Sequence, residues 1–117
     1  MSAKPVLLLV EDEEDSRETL RELLELEGYV VRTASDGRQA LAEVDALGDT
    51  SFVMLLDLFM PVMTGLEVVE ALRNDGRLVA MKIVITTSAP HRAPAGMTVC
   101  QKPIDFKQLL RVVAAAS

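Results

Sequence analysis

Short apolar runs alternate along the chain with segments whose apolar residues recur every three or four positions. The runs are VLLLV (6–10), YVVRTA (29–34), FVMLL (52–56), KIVIT (82–86) and MTVCQ (97–101). They are short enough for strands, and the segments between them carry helical stripes such as Leu20, Leu23 and Leu24. Apolar strands alternating with amphipathic helices are typical of a parallel sheet covered on both faces. The sequence therefore predicts a doubly wound α/β fold with five parallel strands.

Polar residues and glycine mark where several of these helices begin and end. Asp36 with Gln39, and Asp105 with Gln108, have the spacing of a helix N-cap and its partner three positions later. Gly28 follows the first helical stripe, and because helices commonly end at a glycine, we expect the first helix to end there. These signals place helices after the first, second and fifth strands.

Length, charge and cysteine content indicate how many domains the chain has, where it is located and which ligands it does not bind. The chain has 117 residues, half of them apolar, and a formal net charge of −6. That length fits one domain, and the acidic balance argues against non-specific binding to nucleic acid or anionic lipid. The single cysteine, Cys100, fits a reducing compartment, and no apolar run has the length of a membrane span. We therefore expect one domain over residues 1–117, located in the cytoplasm.

Side chains that can do chemistry follow four of the predicted strands. Glu11 and Asp12 follow the first strand, Asp57 follows the third, a hydroxyl such as Thr87 ends the fourth, and Lys102 follows the fifth. In open parallel sheets, ligands bind beyond the carboxyl ends of the strands. The sequence therefore predicts one cleft with three carboxylates, a hydroxyl and an ammonium group.

Three neighbouring carboxylates need positive charge to remain ionised together. Lys102 supplies one charge, and the oxygen-rich remainder of the cleft suits a hard divalent cation such as Mg²⁺. Asp57 can then act as a nucleophile toward phosphorus, because cations neutralise the incoming phosphoryl oxygens. A hydroxyl drawn toward the new phosphate would act as a conformational switch. Strand alternation and the spacing from Asp57 favour Thr87 for this hydroxyl, and Ser88 is the alternative.

These features together resemble the receiver domain of bacterial two-component response regulators. The resemblance rests on Glu11-Asp12, on DLFMPVMTG beginning at Asp57, on a hydroxyl after the fourth strand, and on Lys102-Pro103. It covers essentially the whole chain. It implies a flavodoxin-like five-stranded sheet in the order 2-1-3-4-5. It also implies transfer of a phosphoryl group from a phosphohistidine on a sensor kinase or histidine phosphotransfer protein, with no enzymatic turnover of a separate substrate.

The resemblance also assigns roles to residues. Asp57 would be the phosphoacceptor, and Asp12, Asp57 and the backbone carbonyl of Phe59 would ligate Mg²⁺. Glu11 would act mostly through a metal-bound water. Thr87 would be the switch hydroxyl. Lys102 would pair with the phosphate, and its peptide bond to Pro103 would be cis.

The segment between the fourth and fifth strands departs from the family pattern. Receivers usually place a full helix there, whereas this chain has SAPHRAPAGM over residues 88–97. Proline removes a helix hydrogen bond and clashes with the preceding turn, and this segment contains Pro90 and Pro94. We therefore predict that the fourth helix is missing or reduced to a turn, with a mobile loop in its place. The usual output surface of the family would then be incomplete.

Two single positions also depart from the pattern. Val99 stands where receivers usually carry Tyr or Phe, and a short branched side chain cannot rotate as that aromatic ring does. Phe59, two residues after Asp57, would face the phosphoryl group and hinder attack by water. A long-lived phosphoryl group is the resulting hypothesis.

Other interpretations remain open at this stage. Taken alone, the acids 11–15 are typical of a helix N-terminus, where they complement the helix dipole, and Glu13 to Asp15 fit that role. A phosphorylation-independent interaction module on the same fold is the main alternative, suggested by the altered switch positions. A haloacid-dehalogenase type of hydrolase is a third possibility, but it would need an aspartate where this chain has Phe59.

Overall fold

The computed structural model describes residues 4–116. The strands are β1 (Val6–Val10), β2 (Val30–Ala34), β3 (Phe52–Asp57), β4 (Lys82–Thr87) and β5 (Thr98–Gln101). The helices are α1 (Glu14–Leu26), α2 (Gly37–Leu47), α3 (Gly65–Asn74) and α4 (Phe106–Ala116). The five strands form one sheet in the order β2-β1-β3-β4-β5, and every strand pair is parallel. The predicted strand number, direction and flavodoxin-like order are confirmed.

The apolar runs supply two cores because successive side chains of a strand point to opposite faces. On one face Leu8, Val10, Met54 and Leu56 pack with buried residues of α2 and α3. On the other face Leu7, Leu9, Val53 and Leu55 pack with Leu24 of α1 and with Leu109 and Val113 of α4. Strands β1 and β3 are therefore buried on both faces, which explains why β1 is apolar throughout and β3 is apolar up to its last residue, Asp57.

Helix caps follow the signals in the sequence. The Asp36 carboxylate accepts a hydrogen bond from the Gln39 backbone N–H at 2.8 Å, and Asp105 accepts one from Gln108 at 3.3 Å. Helix α3 begins with a capping box between Thr64 and Glu67, which the sequence analysis did not name. Each cap satisfies backbone N–H groups that have no partner within the helix.

The connection between β4 and β5 is the least regular crossover of the fold. It contains a 3-10 helix of three residues, Pro90–Arg92, and then runs into β5 at Thr98. The prediction that the fourth helix is missing is wrong for the number of helices, because the described residues form four α-helices. The last of these helices follows β5.

None of the four α-helices of residues 4–116 has both the length and the hydropathy that a membrane span requires.

Candidate functional site

The carboxyl ends of β1, β3, β4 and β5 meet at one edge of the sheet. The parallel register pairs Val10 with Leu56 and Asp57 with Thr86, so the residues that follow β1 and β3 lie side by side. Glu11, Asp12 and Asp57 each offer a carboxylate oxygen, and these oxygens lie within 4.8 Å of one another. The predicted clustering of the three acids is confirmed.

Lys102 reaches into this cluster from the end of β5. Its Nζ donates hydrogen bonds to Glu11 Oε2 at 3.0 Å and to Asp57 Oδ2 at 3.1 Å. The side chains of Glu11 and Asp57 are only 5% and 6% exposed, whereas Asp12 is exposed. The lysine thus compensates the two buried acids, and the third acid faces solvent. The Lys102–Pro103 peptide bond is cis, as expected from the resemblance.

The environment of the cluster raises the pKa of Asp57. Burial raises the pKa of Asp57 from 3.8 to about 6, and the negative charge of Glu11 adds to the rise. The Lys102 ammonium and the Phe59 backbone N–H oppose it. Burial lowers the pKa of Lys102, but its hydrogen bonds and charge interactions with Glu11 and Asp57 leave that pKa above its usual value. The Lys102 ammonium therefore does not fully offset the burial of Asp57, and the cluster favours a further cation.

The donor set fits Mg²⁺. Hard divalent cations take carboxylate and carbonyl oxygens together with water, and Mg²⁺ is usually held by only one or two protein carboxylates. Asp12 and Asp57 offer such oxygens next to each other, and the exposure of Asp12 leaves room for water. The chemistry of these donors therefore suits a magnesium site rather than a zinc site, which would favour nitrogen and sulfur ligands.

The hydroxyl at the end of β4 belongs to a buried threonine. Thr87 is 1% exposed, and its Oγ1 accepts a hydrogen bond from the Ala89 backbone N–H at 3.0 Å. Ser88 is exposed. The Thr87 carbonyl accepts a hydrogen bond from the Lys102 backbone N–H at 2.8 Å, which joins the ends of β4 and β5. Thr87, unlike Ser88, is thus a buried hydroxyl residue with a backbone partner at this end of β4.

Phe59 lies in the loop that follows β3. Its backbone N–H donates to Asp57 Oδ1 at 3.3 Å, and the residue is 39% exposed. The guanidinium carbon of Arg92, from the 3-10 helix after β4, lies 5.2 Å from the centroid of the Phe59 ring. The sequence analysis assigned no role to Arg92, because nothing local indicates that the two loops meet.

Gly65 allows the loop after β3 to turn back onto that strand. A Cβ atom at this position would collide with the Asp57 carbonyl oxygen and would lie 2.9 Å from Leu58 Cα, closer than real Cβ atoms approach. The Gly65 N–H donates to the Leu58 carbonyl at 2.9 Å. The glycine of the DLFMPVMTG segment therefore permits a close backbone contact directly beside the acceptor candidate.

Arg17 is a second contributor that the sequence analysis missed. Its Nη1 donates to the Glu11 carbonyl at 2.9 Å and to the Asp12 carbonyl at 3.4 Å. The first turn of α1 thus fixes the backbone that carries both acids. Glu13 caps the same helix by accepting from the Asp15 and Ser16 N–H groups, so the acids 11–15 divide between the cleft and the helix cap.

Comparisons with known proteins agree with this geometry. The family model for the response regulator receiver domain matches residues 7–114. The chain is 32% identical over 109 residues to the response regulator MprA of Mycolicibacterium vanbaalenii, which is 89% of this chain and 46% of that protein. It is 45% identical over 68 residues to the transcriptional regulatory protein CpxR of Escherichia coli (strain K12), which is 58% of this chain and 28% of that protein. The chain therefore spans about half or less of these curated relatives.

Solved structures show the same fold over nearly the whole length of this chain. The chemotaxis protein CheY4 of Vibrio cholerae superposes with a TM-score of 0.82 at 30% identity, over 98% of this chain and 100% of that chain. The response regulator protein TrrA of Thermotoga maritima, solved in complex with Mg²⁺-BeF, also gives 0.82 at 30% identity, over 97% of this chain and 99% of that chain. With the family model matched over nearly the whole chain, the protein belongs to the response regulator receiver domain family.

Proposed function

We propose that this chain is a phosphorelay receiver whose Asp57 accepts a phosphoryl group from a phosphohistidine donor in a Mg²⁺-dependent reaction. The observation that carries the proposal is the position of Lys102, which bonds to both Glu11 and Asp57 within a cluster of three carboxylates. A docking domain has no use for such a cluster, because buried acids destabilise the fold unless cations compensate them. Family membership supports the same reaction.

Asp12, Asp57 and the backbone carbonyl of Phe59 would hold the metal ion, and Glu11 would act through a metal-bound water. Bound Mg²⁺ supplies positive charge that offsets the phosphoryl oxygens and the carboxylates. The TrrA structure, solved with Mg²⁺-BeF, supports a receiver site of this kind.

The transfer step follows from the positions of the side chains. A carboxylate oxygen of Asp57 attacks phosphorus while the bond between phosphorus and the donor imidazole nitrogen breaks, and its electron pair stays on that nitrogen. The Lys102 ammonium, now bonded to Asp57 Oδ2, is close enough to pair with a phosphoryl oxygen instead. It would thereby stabilise charge that develops during transfer.

Thr87 would carry the change onward. Its Oγ1 accepts from the Ala89 N–H before phosphorylation. Once the hydroxyl donates to a phosphoryl oxygen and moves toward it, Ala89 loses its acceptor and the β4–β5 connection must adjust. This connection would stand where most receivers have a helix, an idea supported by its three-residue 3-10 helix and its two prolines. Val99 replaces the usual aromatic residue, so the readout would pass through the connection rather than through a rotating ring.

The proposal extends to the setting of the reaction. Residues 1–117 would form a single receiver domain in the cytoplasm, phosphorylated by a sensor histidine kinase or a histidine phosphotransfer protein. A downstream protein partner of unknown identity would read the phosphorylated state. The match of the family model to residues 7–114 supports the single-domain assignment.

Intact-mass measurement after incubation with Mg²⁺ and acetyl phosphate tests the proposal. One phosphoryl adduct is expected on the wild-type chain and none on Asp57→Asn, with Asp49→Asn, at an exposed aspartate, as the matched control. Chelation of Mg²⁺ should abolish the adduct. Absence of an adduct, even with a phosphohistidine donor, would favour the phosphorylation-independent interaction module. Rapid catalytic turnover of the donor would favour a hydrolase.

A further inference from the structure

One pair of side chains joins the β4–β5 connection to the loop that follows the acceptor aspartate at the end of β3. The Arg92 guanidinium lies over the Phe59 ring, with 5.2 Å between the guanidinium carbon and the ring centroid. This separation is within the range of a cation–π interaction. Arg92 ends the 3-10 helix after β4, and Phe59 is two residues beyond Asp57. The contact therefore bridges two loops that are distant in sequence and adjacent at the site.

Both ends of the bridge are tied to groups that take part in the proposed reaction. The Phe59 N–H donates to Asp57 Oδ1 at 3.3 Å. At the other end the Ala89 N–H donates to Thr87 Oγ1, and the Arg92 N–H donates to the Ala89 carbonyl, both at 3.0 Å. The position of the Phe59 ring is thus linked through short hydrogen-bonded segments to the acceptor and to the hydroxyl.

The Phe59 side chain is partly exposed to solvent. Phe59 is 39% exposed, unlike the buried residues Leu58 and Met60 on either side of it. A half-exposed ring keeps rotational freedom unless a specific contact restrains it. Within residues 4–116, the Arg92 guanidinium makes no ion pair with a carboxylate at 4.0 Å or less, so no such bond draws it away from the ring.

We propose that Arg92 is a positioning residue that holds the Phe59 ring at the rim of the site and slows hydrolysis of the aspartyl phosphate. This inference rests on the proposed function, in which Asp57 is the phosphoacceptor. In hydrolysis, a water oxygen bonds to phosphorus while the bond between phosphorus and the Asp57 carboxylate oxygen breaks. The electron pair returns to the carboxylate, a water proton is released, and inorganic phosphate leaves. A ring fixed over the acceptor loop restricts the approach of that water.

The alternative is that Arg92 acts on the phosphoryl group directly, as a second cation beside Lys102. The two mechanisms differ in their dependence on the ring. A positioning role requires Phe59, so the effect of removing Arg92 should vanish once the ring is gone. A direct role does not require Phe59, so the effect should persist.

The experiment measures loss of the phosphoryl group after the donor is removed, by intact mass in Mg²⁺. Loss from Arg92→Ala should be about two- to fivefold faster than from the wild type, the factor that corresponds to one exposed cation–π contact. Arg92→Lys, which keeps the charge but not the planar stack, should be intermediate. Phe59→Ala should also lose phosphate faster, and adding Arg92→Ala to it should change nothing further.

Arg111→Ala, at an exposed arginine of α4, is the matched control and should behave as the wild type. Thermal unfolding of every variant shows whether the fold is retained. Equal lifetimes for Arg92→Ala and the wild type would overturn the inference while leaving the proposed function intact. A further acceleration by Arg92→Ala in the Phe59→Ala background would overturn it in favour of direct action. Failure of the wild type to form any adduct would overturn the proposed function and this inference together.

Discussion

Asp57→Asn is expected to make the metal-free protein more stable at neutral pH. The Asp57 side chain is 6% exposed and lies beside Glu11, and its pKa in the folded protein is about 6 rather than 3.8. Ionising this group therefore costs more in the folded chain than in the unfolded chain. An asparagine side chain has nearly the same shape and carries no charge, so it removes that cost.

The size of the effect follows from the same pKa values. A rise from 3.8 to about 6 corresponds to about 3 kcal/mol. The asparagine variant also loses the favourable interaction between the carboxylate and Lys102. That interaction lowers the pKa of Asp57, so the value of about 6 already includes it. We expect Asp57→Asn to raise the free energy of unfolding by about 2–3 kcal/mol at about pH 7.5 in a chelator.

The pH dependence has a definite sign. An acid whose pKa is raised by folding remains protonated in the folded chain over a range where the unfolded chain has already released its proton. Its destabilising effect is absent below the unfolded pKa, grows as the pH rises toward the folded pKa, and is complete above it. The stability difference between Asp57→Asn and the wild type should therefore grow from about pH 4 to about pH 6.5 and then level off.

Urea denaturation at several pH values, in the presence of a chelator, measures this difference. Asp49→Asn, at an exposed aspartate, is the control and should show little change. Saturating Mg²⁺ should stabilise the wild type and narrow the gap. The reasoning is refuted if Asp57→Asn is no more stable than the wild type at about pH 7.5, or if the difference between them does not change with pH.

Three further changes test separate parts of the molecule. A free Mg²⁺ concentration of about one hundred times Kd should stabilise the wild type by about 2.7 kcal/mol. Asp12→Ala should lose most of this stabilisation, and calorimetric titration with Mg²⁺ should show weaker binding. Gly65→Ala should destabilise the fold by about 1–3 kcal/mol in urea denaturation, because the added Cβ meets the backbone of Asp57 and Leu58; unchanged stability would contradict the close contact. Thr64→Ala should cost about 1 kcal/mol in the same assay, because its Oγ1 accepts from the third residue of α3, and Thr64→Ser should recover most of the loss.

Much of the fold could be predicted from the sequence because its signals are local. A strand buried on both faces is expected to be apolar along its length; β1 is apolar throughout, and β3 is apolar until its last residue, Asp57. The caps at Asp36 and Asp105 depend on residues three positions apart, so spacing alone identifies them. The parallel direction of β1 to β4 followed from the helices predicted between them, since a parallel pair needs a crossover.

The sequence predicted which residues form the candidate site, but not the hydrogen bonds and exposure of each residue. Parallel strands bring their carboxyl ends to one edge, so Glu11, Asp12, Asp57 and Lys102 were expected together. Spacing could not show that Lys102 divides its hydrogen bonds between Glu11 and Asp57, or that Asp12 is left to solvent. Those outcomes depend on the relative heights of β1, β3 and β5 in the sheet.

By itself, then, the sequence determined which strand ends carry acids, a hydroxyl and a lysine, because the signals for strands and helix caps depend on residues that are close together in the sequence. Only the tertiary structure decided how those groups share charge and which loops touch. The contact between Arg92 and Phe59, and the hold of Arg17 on the β1–α1 turn, join segments whose approach depends on the packing of whole elements. No local pattern encodes such contacts, since they are fixed by the twist of the sheet and by the path of each crossover.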